Sequence, residues 1–298
     1  MKNRLLLLQV AIVAIVASLA VWFLIPKTPS SGGAGMLEPA YQRVTKSGVL
    51  RSAYVSYPPG TIIQRKGGNV ELSGICVDVL NEIGKQLNLK VEYTEEVGWG
   101  TAIQGMNDGR YETVCAPVWA NPKRSKLALF SKPLMYSVVG VWVREDDTRF
   151  TPDNYRETIN SPDVRIASLD GSTMIGIAQS DFPKAQLKTY ADLTGEPQLF
   201  LELTGKKVDV FMAEPVVGYY QLRSHPGTVK NLAAAKPIRA FPVIFLLGKD
   251  EAQLKNMFDT AIEELHNSGF IDRVIRKYEP MPNAFFRIHP GFVVPSEK

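Results

Sequence analysis

The sequence predicts an α/β chain built as two similar lobes, each a mostly parallel sheet flanked by helices. Three observations lead there. From Met36 onward short apolar runs alternate with amphipathic helical stretches, one strand-helix-strand-helix-strand order occurs twice, and a late apolar run, Arg239 to Leu247, follows the second copy. In the first copy Val49 to Ser56 is a strand, stopped by Tyr57-Pro58-Pro59-Gly60 because proline cannot donate to a ladder. Ile75 to Asn88 is a helix with Val77, Leu80, Ile83 and Leu87 on one face, Lys90 to Tyr93 the next strand, Thr101 to Met106 a short helix and Glu112 to Ala116 a third strand. The second copy runs Val164 to Ser168 (strand), Asp170-Gly171-Ser172 (turn and cap), Thr173 to Ser180 (helix), Leu187 to Tyr190 (strand), Pro197 to Thr204 (helix) and Val208 to Ala213 (strand).

Between the copies lies Phe130 to Arg149, and Arg239 to Leu247 leads into a helix with Leu254, Met257, Phe258, Ile262 and Leu265 on one side. If that last segment returns to the first lobe, two crossover strands form a hinge over a cleft. Ligands of parallel α/β sheets sit beyond the carboxyl ends of the strands, so the cleft is the expected site. The domains are then residues 37–140 with 240–286 (first lobe) and 141–239 (second lobe), with 287–298 as a C-terminal tail.

The 298 residues are 45% hydrophobic and 21% charged, a balance that excludes a disordered or fibrous chain. Leu5 to Ile25 has only Gln9 and Ser18 as polar residues and is long enough to span a bilayer; no later run approaches it, which excludes a polytopic channel or transporter. Lys2 and Arg4 before this run make residues 1–26 a signal anchor or signal peptide that places the rest outside the cytoplasmic membrane, in the periplasm or at the cell exterior. Ser18-Leu19-Ala20 is a small-x-small site, but the apolar VWFLI after it favours an uncleaved anchor, with residues 27–36 as a flexible tether. Setting aside Lys2, Arg4 and Lys27 leaves 31 basic against 30 acidic residues, so the positive net charge belongs to the N-terminus and gives no support for nucleic-acid binding. His225, His266 and His289 lie far apart, and no G-x-S-x-G, Walker-type loop or C-x-x-C occurs; neither a metal nor a cofactor is expected, and no enzyme activity.

In order along the chain, Ser47-Gly48-Val49-Leu50-Arg51, Tyr57-Pro58-Pro59, Gly74-Ile75-Cys76-Val77-Asp78-Val79, Gly109-Arg110-Tyr111, Ala116 to Arg124 (APVWANPKR), Phe130-Ser131-Lys132-Pro133, Gly171-Ser172-Thr173 and Lys207-Val208-Asp209 resemble the family 3 extracellular solute-binding proteins, the periplasmic amino-acid receptors of ABC importers. The ionotropic glutamate receptor ligand core shares their fold. The resemblance covers about Leu37 to Pro280 and implies a two-lobed periplasmic-binding-protein type II fold that closes on a small ligand, a membrane permease as partner, and a monomer. It also implies that Arg124 grips an α-carboxylate, that Glu214 takes an α-ammonium, that Tyr57 and Trp99 pack on the ligand, and that Ser172 and Thr173 offer donors at a helix start.

The chemistry fits those roles. A guanidinium meets a carboxylate with two parallel charge-assisted hydrogen bonds, and a helix start with a Gly-Ser-Thr turn admits an anion. Where the amino-acid receptors usually present small hydroxyl residues before the arginine, Pro117, Trp119 and Asn121 stand instead, and Trp119 with Trp99 hints at a flat or apolar ligand. The expected ligand contacts are therefore Tyr57, Trp99, Trp119, Asn121, Arg124, Ser172, Thr173 and Glu214. Read without the resemblance, Arg124 is a surface arginine, Glu214 before Pro215 a first-turn acid, Trp119 a residue packed under the hinge, and Ser172 and Thr173 a helix cap. Two other functions stay open. Some proteins resembling this family are cyclohexadienyl or arogenate dehydratases, in which a cleft carboxylate such as Glu214 protonates a leaving hydroxyl; the other alternative is that this chain is a ligand-sensing module acting through a separate membrane partner. Cys76 and Cys115 are expected as two buried thiols, with a disulfide as the alternative in an oxidising compartment.

Overall fold

The computed structural model describes residues 38–281 and 284–288. Helix α1 (Ala40–Ser47) ends at Gly48, whose φ of 70° lets its N–H return to Val44 O, and leads into β1 (Val49–Tyr54). A separate hairpin of β2 (Ile62–Lys66) and β3 (Asn69–Ser73) follows, turned by Gly67 and Gly68, both at positive φ. Then come α2 (Ile75–Gln86), β4 (Lys90–Glu96), α3 (Ala102–Asn107), β5 (Thr113–Trp119), the single turn α4 (Pro122–Ser125), β6 (Ala128–Phe130) and β7 (Met135–Val138).

The chain next supplies β8 (Gly140–Arg144), α5 (Tyr155–Ile159), β9 (Arg165–Leu169), α6 (Thr173–Asp181), β10 (Gln186–Tyr190), α7 (Glu196–Thr204), β11 (Val210–Ala213), α8 (Pro215–Ser224) and β12 (Val229–Asn231). It finishes with β13 (Ala240–Gly248), α9 (Ala252–Asn267) and α10 (Phe270–Tyr278).

Two sheets result. The first has the order β4-β1-β5-β13-β6, with β7 also paired to β13; the second has the order β10-β9-β11-β8-β12. Pairs within each repeated unit are parallel, β4-β1-β5 and β10-β9-β11. The sheets are nevertheless mixed, because β13 and β8 run back across them and pair antiparallel with their neighbours. The two crossing segments are bonded to each other, Val139 N–H to Arg239 O at 3.0 Å and Ile238 N–H to Val139 O at 3.1 Å.

The same device fastens both parallel units. Just before β5, buried Glu112 accepts the Arg51 N–H (2.9 Å) and Arg51 Nε (3.2 Å), while its own N–H returns to Arg51 O. Just before β11, buried Asp209 accepts the Arg165 N–H (3.0 Å) and Arg165 Nε (2.8 Å), with its N–H on Arg165 O. Each carboxylate thus joins the first strand of its unit to the third and carries a second arginine, Arg43 or Arg149.

The faces of α2 and α9 foreseen from helical periodicity are the buried ones: Val77, Leu80 and Ile83 on α2, and Leu254, Phe258, Ile262 and Leu265 on α9, pack in one core with Phe245 of β13. Cys76 and Cys115 are free and buried in that core, and burial pushes both thiols up, Cys115 to about 12. No helix among the described residues is long and apolar enough to cross a membrane; the apolar run Leu5 to Ile25 and the tether lie outside the described residues, as does most of the C-terminal tail.

Candidate ligand-binding site

The carboxyl ends of β5, β9 and β11 face one cavity of about 50 Å³, which Tyr57, Trp99, Trp119, Arg124, Ser172, Thr173 and Glu214 line together with Pro117, Glu196 and Met174. At roughly 10–15 Å³ per water it has room for about four waters.

On the side of the first sheet, Tyr57 sits in the turn after β1 with its ring edge-on to Trp99, centroids 5.8 Å apart. Trp119 ends β5. One face of it stacks on Phe241 of β13 at 4.8 Å and 15°, so this residue is both packing under the crossing strands and cavity wall. Asn121 accepts the Arg124 N–H (2.9 Å), capping α4, and its Nδ2 donates to Thr173 Oγ1 (3.1 Å). Both ends of the side chain are engaged with protein, and Asn121 lies outside the cavity lining, in the groove beyond Arg124.

That cap aims Arg124 across the cleft. Its Nη1 donates to Trp119 O (3.2 Å) and Thr173 Oγ1 (3.3 Å), its Nη2 to Gly171 O (3.3 Å), and the guanidinium lies 5.9 Å from the Trp99 ring centre. All these acceptors are neutral. No carboxylate pairs with Arg124 among the described residues, and burial lowers its pKa to about 10.

On the side of the second sheet, Ser172 caps α6 by accepting the Met174 N–H at 3.2 Å. Gly171 before it has φ 73°, and a Cβ there would lie 2.6 Å from Gly100 N, so the Gly171 turn and the Trp99 loop meet backbone to backbone. Asp192 adds to that meeting by accepting the Gly100 N–H at 3.2 Å.

Glu214, between β11 and α8, is 2% exposed. Ser137 of β7 donates its hydroxyl to Oε1, and the Tyr57 hydroxyl and Trp119 indole N–H are close enough to favour the anion, although the indole N–H completes no hydrogen bond. Burial outweighs these donors and pushes the carboxyl up to about 7. Glu214 forms no ion pair with a lysine or arginine among the described residues.

Sequence reasoning missed Glu196. It opens α7 as a half-buried residue whose carboxyl lines the same cavity, and loss of solvent around that carboxyl, with the Glu214 charge adding to it, pushes it up to about 7 as well. One signal was available: Glu196-Pro197 repeats the Glu214-Pro215 pair, each at a helix start. Ser137 and Asp192 were missed too, since both act through contacts distant in sequence.

The sequence pattern of the bacterial extracellular solute-binding proteins, family 3, matches residues 51–281. The chain belongs to that family. Relatives of this family member include the probable amino-acid-binding protein YxeM of Bacillus subtilis, 22% identical over 214 residues that cover 70% of this chain and 77% of that one. A probable histidine-binding protein of Campylobacter jejuni is 22% identical over 210 residues, with the same 70% and 77% coverage. Among solved structures, an ancestral amino acid-binding protein described as a precursor of cyclohexadienyl dehydratase matches with a TM-score of 0.69 at 23% identity, over 81% of this chain and 100% of its own. The Streptococcus pneumoniae substrate-binding protein AbpA, bound to L-arginine, matches with a TM-score of 0.67 at 17% identity, over 79% and 96%. The fold of this family 3 protein is accordingly the two-lobed type II periplasmic-binding-protein fold.

Proposed function

We propose that this chain is an extracytoplasmic receptor whose lobes, residues 37–140 with 240–286 and residues 141–239, close on a small amino acid and deliver it to the permease of an ABC importer. One observation carries the reading. In the lining of a single cavity stand a guanidinium with no acidic partner and a buried carboxyl with no basic one, among the described residues, and a zwitterion supplies both missing charges. Arg124 takes the carboxylate, exchanging neutral acceptors for a charged one. Glu214 takes the ammonium, while Ser172 and Thr173 complete the carboxylate end and Tyr57, Trp99 and Trp119 form the walls. The names of the relatives, several of them amino-acid-binding proteins, support the same ligand class. Residues 1–26 hold the receptor at the outer face of the cytoplasmic membrane through the tether 27–36.

Calorimetric titration with the twenty amino acids tests this. A binder is expected, and Arg124→Ala and Glu214→Gln are each expected to weaken it at least about thirtyfold, since an unmatched desolvated charge costs on the order of 2 to 5 kcal/mol. An Arg124→Ala protein that binds as tightly as the parent would sink the carboxylate clamp. A second reading has one observation in its favour: a carboxyl held near 7 in a buried cleft is also a proton donor, as a dehydratase requires. Turnover of prephenate or arogenate by the purified protein, lost in Glu214→Gln, would replace the receptor with that enzyme.

A further inference from the structure

Among the described residues, the charged side chains that line the cavity are Arg124, Glu196 and Glu214. One positive charge stands against two negative ones. A zwitterion bound between Arg124 and Glu214 matches those two and adds no net charge, so the cleft would close on a surplus carboxylate at Glu196. Closing removes water from that carboxylate, which its own backbone N–H favours but no cation balances, and a desolvated charge without a counter-charge is costly.

Glu196 has the ordinary explanation of a first-turn acid at the start of α7, where the helix dipole favours an anion. Its surroundings go further. The side chain forms no ion pair with a lysine or arginine among the described residues, it faces the same cavity as Glu214, and the Tyr57 hydroxyl lies under the influence of both carboxylates. Walls of Tyr57, Trp99 and Pro117 suit a methylene stem, and Pro117 stands where a hydroxyl that would have read a small polar side chain was expected. An aromatic wall beside a carboxylate also suits a cation, whose charge is attracted to the ring face.

Resting on the zwitterion reading above, we propose that Glu196 receives a second positive group, so that the cleft selects amino acids whose side chain ends in a cation. The ligand then carries a net single positive charge and leaves the closed cavity neutral. Glu196 sets the choice among amino acids, while Arg124 and Glu214 recognise the part that all amino acids share.

L-Arginine and L-citrulline have nearly the same shape and differ in the charge at the far end. Titration calorimetry at pH 8, where carboxyls near 7 are ionised, is expected to give at least about tenfold tighter binding of L-arginine, or of L-lysine over L-norleucine. Glu196→Gln and Glu196→Ala are each expected to reduce that ratio at least about fivefold, with the unliganded melting curve showing that each variant is folded. The proposal is overturned if the uncharged amino acid of either pair binds as tightly as the cationic one, or if both Glu196 variants keep the full preference. Tight binding of neutral amino acids alone would remove this inference and leave the receptor reading intact, whereas binding of no amino acid would remove both.

Discussion

A carboxyl that burial holds near 7 is poised to change charge at the pH of its surroundings, and the cleft contains two, Glu196 and Glu214, facing Tyr57 and Arg124. In an unfolded chain a glutamate ionises near 4.5. Between 4.5 and about 7 the folded, empty protein therefore holds protons that the unfolded chain has released, and raising the pH across that window removes stability. Ligand affinity must run the other way, because an ammonium is attracted to a carboxylate and not to its acid. Urea titrations of the ligand-free protein are expected to show it less stable at pH 8 than at pH 5, while calorimetry shows the bound amino acid held more tightly at pH 8 than at pH 6. Glu214→Gln and Glu196→Gln are each expected to flatten part of the affinity trend. If affinity and stability move together with pH, the cleft carboxyls are not the groups responsible.

At the scale of elements, the closure proposed above rests on two turns meeting closely, and stability on two carboxylate clasps. Gly171→Ala puts a Cβ against Gly100 N and asks a left-handed φ of a residue that resists it, so ligand binding is expected to weaken at least about tenfold. Scattering curves with saturating ligand are expected to show the parent compact and the variant more open; equal compaction would mean the turns have slack. Glu112→Gln and Asp209→Asn each break a buried, arginine-bonded carboxylate, and each is expected to cost about 3 kcal/mol in urea unfolding. Asp209, held well below the ordinary carboxylate range by the Arg165 and Arg149 hydrogen bonds, contributes stability present above its unfolded value of 3.8 and lost only in strong acid.

Much of this level was legible in the chain. The strand and helix runs of both copies follow periodicity, and Trp99 between two glycines and Arg124 after Asn-Pro-Lys announce themselves through local neighbours. The β2-β3 hairpin had a local signal too, the Gly67-Gly68 pair, yet its faces are largely exposed and so lack the apolar run by which a strand is recognised. Glu196 was illegible for a different reason: a first-turn acid looks the same whether it faces solvent or a cleft, and only the packing of α7 beside β11 decides.

For the whole molecule, the chain supplies its two sheets in different ways. The second takes all its strands from one continuous stretch, entered at Val139 and left at Ile238, which are already bonded side by side. The first has its centre missing until late, because β13 lies between β5 and β6 and pairs with β7 as well. A chain stopped at Arg239 is expected to protect the amides of Ile166 and Val210 in hydrogen exchange and to leave those of Val114 and Val118 open; equal protection of both sets would contradict this order. Such an order matters during synthesis. Long-range pairing is slow to form, and the first sheet, although β4, β1 and β5 are made early, lacks the strand that joins β5 to β6 and β7 until the ribosome has added some 240 residues. If the chain is exported as proposed, its first half stays threadable through a translocation pore for most of the time it takes to make, a property written into the order of its strands.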